Sequence, residues 1–144
     1  MAHMNPYLNF NGQCAQAFEF YKSVLGGEFT QPGIMRMKDA PPNEEYPLDP
    51  KDADLVMHVA LPVGSNILMG SDCPPSWGSV EQGTASNISL TTADEAETKR
   101  IFDGLADGGK VAMPLGPTFW SPMFGMLTDK FGIQWMVGME HKQQ

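Results

Sequence analysis

The residues of this chain able to do chemistry are few. His58 is the one histidine inside an expected secondary-structure element; His3 and His141 lie near the ends. An imidazole titrates near neutrality, so His58 could act as a general base or donate a hydrogen bond to a ligand. The competing reading is a sheet histidine satisfied by a backbone carbonyl or buried at a subunit interface. Strand parity separates the two, and it depends on the length of the turn within Pro62–Ser65. Asn5, Tyr7 and Asn9 alternate with apolar neighbours, as do Asn87, Ser89 and Thr91. Two polar rows of this kind, each on one face of a strand, imply water or a ligand against them. Trp120, between Phe119 and Phe124 in sequence, can line a cavity mouth and stack on a flat ligand, or simply belong to the core. Gln134 adds one more amide. Cys14 and Cys73 have no metal-like spacing and read as two free thiols of a cytoplasmic protein.

The elements that must position these residues come from a repeat. An offset of 82 places Asn5 on Asn87, Leu8 on Leu90, Phe20 on Phe102 and Gly26-Gly27 on Gly108-Gly109. Further along the offset is 66, placing Met57 on Met123, Leu61 on Leu127 and Ile67 on Ile133. The difference of 16 residues matches a Pro- and acid-rich stretch, Asp39 to Asp54, present in the first half only. That stretch reads as a long solvated loop, with a lid over a cavity as the alternative.

Each half reads β-α-β-β-β. Asn5–Phe10 is a strand, and Cys14, Ala17, Phe18, Tyr21, Val24 and Leu25 form one apolar helix face closed by Gly26-Gly27. Glu28–Met37 is a second strand interrupted at Pro32-Gly33. Leu55–Leu61 and Asn66–Gly70 form a hairpin. In the second half Ser86–Thr91 is a strand. Thr92 and Glu95 form a capping box for a helix facing inward through Ile101, Phe102 and Leu105. Lys110–Leu115, Met123–Thr128 and Ile133–Val137 complete the half. The modules span 4–72 and 84–140, together one structural domain. The expected class is α+β: a curved, mostly antiparallel sheet with helices on its convex side and a concave side open to hold something.

Composition limits the partners. Apolar residues are 42% and charged ones 18%, which is globular. A formal net charge of −8 argues against nucleic acid, whose phosphates call for a basic face. No apolar run approaches the roughly 20 residues of a membrane span, and no charged start followed by an apolar stretch marks a leader. The 11 methionines, if they lie on strands lining a cavity, make an adaptable apolar wall. Open sheet edges, with Pro6 at the start of one leading strand, favour a homodimer.

Several segments resemble the vicinal-oxygen-chelate superfamily of glyoxalases, bleomycin-resistance proteins and dioxygenases, and in particular its PhnB-like branch. They are Pro6-Tyr7-Leu8-Asn9-Phe10, Ala17-Phe18-Glu19-Phe20-Tyr21, Met57-His58-Val59-Ala60-Leu61, Leu68-Met69-Gly70-Ser71-Asp72 and the run from Phe124 to Trp135. The resemblance covers Met4 to Val137, and its most specific piece is Asp129-Lys130-Phe131-Gly132-Ile133-Gln134-Trp135. Similar proteins often carry the name 3-demethylubiquinone 3-methyltransferase. A methyl donor needs a Gly-rich strand-to-helix loop and an acidic ribose partner, and the chain offers no parallel-sheet context for them. Metal-dependent members place ligands at four positions, which by this resemblance fall on Asn5, Leu68, Asn87 and Gln134. Three neutral amides and a leucine are a poor set for a divalent transition metal. The resemblance therefore implies a small-molecule-binding protein, with Asn5, Tyr7, Asn9, His58, Asn87, Ser89, Trp120 and Gln134 as candidate ligand contacts. No cofactor is expected, and a weakly held divalent cation is the exception kept open. The alternative is a divalent-metal lyase, isomerase or dioxygenase with ligands recruited from other positions. PhnB-like proteins commonly carry an acidic residue two positions after the histidine; here it is Ala60, which weakens any acid–base pair.

Overall fold

The computed structural model describes residues 2–141. The chain divides between Glu81 and Gln82 into two compact units. Each is the expected β-α-β-β-β module, so the class is α+β.

In the first unit the strands are β1 (Tyr7–Phe10), β2 (Met35–Arg36), β3 (Val56–Val63) and β4 (Asn66–Asp72), with helix α1 (Cys14–Leu25) following β1. They form one sheet in the order β1-β4-β3-β2, with β1 parallel to β4 and the other neighbours antiparallel. Helix α1 exists because its apolar residues recur every three to four positions. Cys14, Ala17, Phe18, Tyr21 and Val24 are all buried. Gly26 ends it at φ 82°, a conformation in which a side chain would be strained, and its N–H donates to Lys22 O. The face that α1 covers is fixed by Gly70. A methyl there would lie 2.5 Å from Phe18 Cε2, so the helix packs against bare backbone. Leu8 and Val59 register with Gly70 and share that face.

The second strand is shorter than the periodicity of Glu28–Met37 suggests. Pro32 has no N–H to give a ladder, and Thr30 O accepts instead from Gly33 N in a turn. Only Met35 and Arg36 pair, against His58 and Val56. The Asp39–Asp54 stretch is irregular as expected, and residues 41–51 are all exposed. Its base is clasped. Lys38 Nζ lies 2.9 Å from Asp54 Oδ1, holding that carboxyl below its ordinary range, and Arg36 Nη1 donates to Asp54 O at 2.7 Å. One buried carboxylate organises the unit. Asp72 Oδ1 accepts from the N–H groups of Gly12 and Cys14, both at 3.0 Å, and Oδ2 accepts from Val56 N at 2.9 Å.

In the second unit the strands are β5 (Ile88–Thr92), β6 (Lys110–Gly116), β7 (Phe124–Thr128) and β8 (Gln134–Met139), with α2 (Glu95–Ala106) after β5. The order β5-β8-β7-β6 repeats the first unit, including the parallel β5–β8 pair. Gly125 mirrors Gly70: a methyl on it would lie 2.6 Å from Phe102 Cε2 of α2. Leu90 and Val137 register with Gly125 and lie on this covered face.

The helix cap differs from the expected Thr92–Glu95 box. Asp94 is the N-cap and accepts from Glu97 N at 2.8 Å, while Glu97 Oε1 accepts from Ala93 N. Thr92 instead finishes β5, buried, with its hydroxyl 2.6 Å from that of Thr98.

The turn between β7 and β8 explains the most specific sequence run. Asp129 is 3% exposed. Its Oδ1 accepts from Phe131 N at 2.8 Å and Ile133 N at 3.1 Å, and its Oδ2 accepts from Trp135 Nε1 at 2.8 Å. Gly132 supplies the φ of 89° that closes the turn. The run is thus a structural knot that ties a buried tryptophan to its hairpin.

Candidate functional site

Each sheet has one face covered by its helix, and the candidate site residues lie on the other. In the first unit Tyr7 registers with Met69, and Met69 with Ala60. The turn joining β3 to β4 is only Gly64-Ser65, since Val63 pairs Asn66. That fixes the parity of β3. His58, two positions before Ala60, shares the face of Tyr7, away from α1. The two rings lie nearly parallel, 29° apart, with centroids 6.1 Å from each other. Asn9 lies on this face too, 3.4 Å from the Ser71 hydroxyl. The alternation of β1 therefore reads correctly from sequence, and the turn length decides the orientation of His58.

In the second unit the same parity puts Ser89, Met136, Met126 and Met113 in one row across β5, β8, β7 and β6. Thr91 and Phe124 follow on the same face. Beside them opens a cleft of about 330 Å3, lined in part by Ser89, Thr91, Trp120, Phe124, Met136 and Glu140. This lies at the small end of ligand-site volumes. Ser89 and Thr91 are exposed, and neither hydroxyl makes a hydrogen bond among the described residues. Trp120 is held outward by a closed loop. Ser121 N donates to Thr118 Oγ1 at 3.0 Å, Thr118 N donates to Ser121 O at 2.8 Å, and buried Ser121 Oγ lies 2.8 Å from Met139 O. The loop so pinned leaves Trp120 half exposed, edge-to-face with Phe124 at 5.3 Å and with Phe119 at 4.7 Å. His141 also lines the cleft. Its position near the end of the chain gave no sign of this. Glu140 was equally silent, because the proximity is tertiary.

Two of the three remaining candidates serve backbone. Asn5 Oδ1 accepts from Ile67 N at 2.9 Å, holding the start of β4. Gln134 Nε2 donates to Ser86 O at 2.7 Å, the matching clasp in the second unit. Asn87 is exposed just before β5.

The position expected at Leu68 requires correction. Tyr7 registers with Met69 and Ser89 with Met136, so Met69 matches Met136 and Ile67 matches Gln134. The turn after β7 is longer than the one after β3, and the offset grows by one residue across it. Leu68 points to the covered face and is 3% exposed. The four superfamily ligand positions are thus Asn5, Ile67, Asn87 and Gln134. One is aliphatic, and the carbonyl oxygen of another is committed to a backbone N–H. Neutral amides compete weakly for transition metals. These residues do not fit such an ion. Nor do three or more His, Cys, Asp or Glu side chains converge elsewhere among the described residues.

The thiols are free: Cys14 is buried and Cys73 half-buried. Burial pushes the Cys14 thiol far above its ordinary pKa, and the Asp72 carboxylate adds to the effect. No helix among the described residues is long and apolar enough to cross a membrane.

Comparison with known proteins agrees with this geometry. Residues 3–137 match the family model described as Glyoxalase/Bleomycin resistance protein/Dioxygenase superfamily. Protein YjdN of Escherichia coli (strain K12) is 33% identical over 144 residues, covering 97% of each chain. The crystal structure of protein PA1353 from Pseudomonas aeruginosa is 42% identical, covers 99% of this chain and 100% of its own, and superposes with a TM-score of 0.83. A PhnB protein from Bacillus cereus, described as a putative 3-demethylubiquinone-9 3-methyltransferase, shares the fold at 24% identity and a TM-score of 0.70, covering 96% of this chain and 99% of its own. With the duplicated module, the covered and open sheet faces and a family match over nearly its whole length, this chain belongs to the glyoxalase/bleomycin resistance protein/dioxygenase superfamily and has PhnB-like neighbours.

Proposed function

We propose that this protein binds a small molecule on the open face of its second module and does so without a transition metal. The observation that carries the reading is the cleft of about 330 Å3 at Trp120, with an aromatic and thioether wall and two uncommitted hydroxyls, Ser89 and Thr91. An apolar wall with a few polar groups is the usual composition of a ligand site. The amides at the superfamily ligand positions support the metal-free part. Tyr7 and His58, paired on the first module's open face, are candidate contacts of that module taken by itself.

A thermal-shift panel of flat aromatic and amphipathic compounds tests this. A ligand at 100 times its Kd stabilises by about 2.7 kcal/mol. For a chain of this length that is a rise in Tm of roughly 5–10 °C. The rise is expected to disappear in Trp120→Leu. No shift with any compound, or shifts that Trp120→Leu leaves intact, would sink the reading.

We also propose that the protein is a cytoplasmic homodimer. Each sheet ends in an edge strand on either side, β1 and β2 or β5 and β6, and an isologous contact is the commonest way to cover sheet edges. Sedimentation at micromolar concentration is expected to give twice the 15.8 kDa chain mass; a clean monomer contradicts this.

A further inference from the structure

We propose that the occupant of the Trp120 cleft is a flat organic cation, a heteroaromatic or aryl-substituted ammonium. This rests on the preceding reading of the cleft as the binding site and adds its chemical class. The groups facing the cleft are almost all electron-rich. Among the described residues Glu140 is the one carboxylate that lines it, and no lysine or arginine does. Trp120 offers the side chain whose ring face attracts cations best. Met136 brings a polarizable thioether, continued along the open face by Met126 and Met113. The hydroxyls of Ser89 and Thr91 can accept from an N–H as readily as they donate.

Three backbone N–H groups beside the cleft are already committed to the fold and leave an anion no backbone nest there. Glu140 N donates to Thr92 O at 2.7 Å, Met139 N to Met123 O at 2.8 Å and Ser121 N to Thr118 Oγ1 at 3.0 Å. Among the described residues His141 is the one basic side chain in the lining, and it is exposed. The net charge of −8 adds a long-range field that draws cations in and turns anions away. A single carboxylate beside an aromatic wall matches a ligand with one delocalised positive charge rather than a polycation.

Three isosteric probes separate charge from shape: N-methylacridinium, acridine and acridine-9-carboxylate, titrated by calorimetry at about pH 8, where acridine is neutral. The expected result is about tenfold tighter binding of the cation than of neutral acridine, with the carboxylate weakest. Glu140→Gln is expected to remove most of that preference and leave acridine unchanged. Trp120→Leu is expected to weaken both. Glu140 is exposed, so its variant keeps the fold, and a melting curve verifies that. Equal binding of the three probes, preference for the anion, or a cation preference that survives Glu140→Gln would overturn the inference. Binding insensitive to Trp120→Leu would overturn it as well, by placing the site elsewhere. If no acridine binds while other compounds give Trp120-dependent thermal shifts, the cation inference fails and the binding function stands. If nothing binds, both fail.

Discussion

Replacing Asp129 with alanine removes the acceptor for three donors at once. Trp135 Nε1 is buried with the indole, which is 1% exposed, and the Ile133 N–H bond is also buried. Each buried donor left without a partner costs about 1–3 kcal/mol. Phe131 N is partly exposed and recovers a water, so its loss counts for little. The sum is roughly 3–5 kcal/mol, a third or more of the total stability of many domains. The corresponding fall in Tm is about 10–15 °C. Asp129→Asn is expected to fall between wild type and alanine. One amide cannot present oxygen both to the backbone donors and to the indole N–H, whichever way it is flipped. A double-mutant cycle with Trp135→Phe isolates the indole bond, because the phenylalanine has no donor to orphan. The coupling is expected at about 1–2 kcal/mol. Urea unfolding followed by circular dichroism gives all four corners. A loss below about 1 kcal/mol for Asp129→Ala, or no coupling to Trp135, would refute the reasoning that this buried carboxylate ties the hairpin together.

Three further outcomes follow from packing and burial. Gly125→Ala puts a methyl 2.6 Å from Phe102 Cε2 and 2.9 Å from Met113 O, so α2 or β6 must shift; a cost of about 1–3 kcal/mol in urea unfolding is expected, and a neutral result contradicts the close approach. Native protein is expected to show one thiol reacting readily with a disulfide reagent, Cys73, and a second, Cys14, reacting only on unfolding. Because Cys14 stays neutral in the fold while an unfolded thiol ionises near pH 8.5, the unfolded state binds fewer protons above that pH. Stability is therefore expected to fall as pH rises past the ordinary thiol range, and Cys14→Ser is expected to flatten that slope.

The module plan is legible because it rests on local signals: the 82-residue offset, the apolar face of α1 and the alternation of Tyr7–Phe10. The polar open face follows from the same alternation. What the sequence leaves open turns on single-residue lengths and tertiary contacts. His58 is ambiguous until the Gly64-Ser65 turn is seen. A longer turn built by Asp129 moves the counterpart of Gln134 from Leu68 to Ile67. Asp94 and Thr92 are both capping residue types two positions apart, and the Glu97 N bond to Asp94, with Thr92 held by Thr98, shows which one starts α2. Glu28–Met37 carries enough β-formers to suggest a full strand, but Pro32 cuts it to two residues. The row of Met113, Met126 and Met136 appears only once the registers of three strands are known. Trp120 reads from sequence as core more readily than as cavity, and its half exposure depends on the hydrogen bonds that close residues 118–121.

The central claim is that ligand binding at the Trp120 cleft needs no metal. Calorimetric titration of a bound aromatic ligand into protein stripped with a strong chelator, before and after adding back nickel, zinc, manganese or iron, tests it most directly. The expected result is one affinity throughout, with transition metal below roughly one-tenth equivalent at the start, since amide donors hold such ions poorly. Binding that vanishes with the chelator and returns with one of these metals would contradict the account.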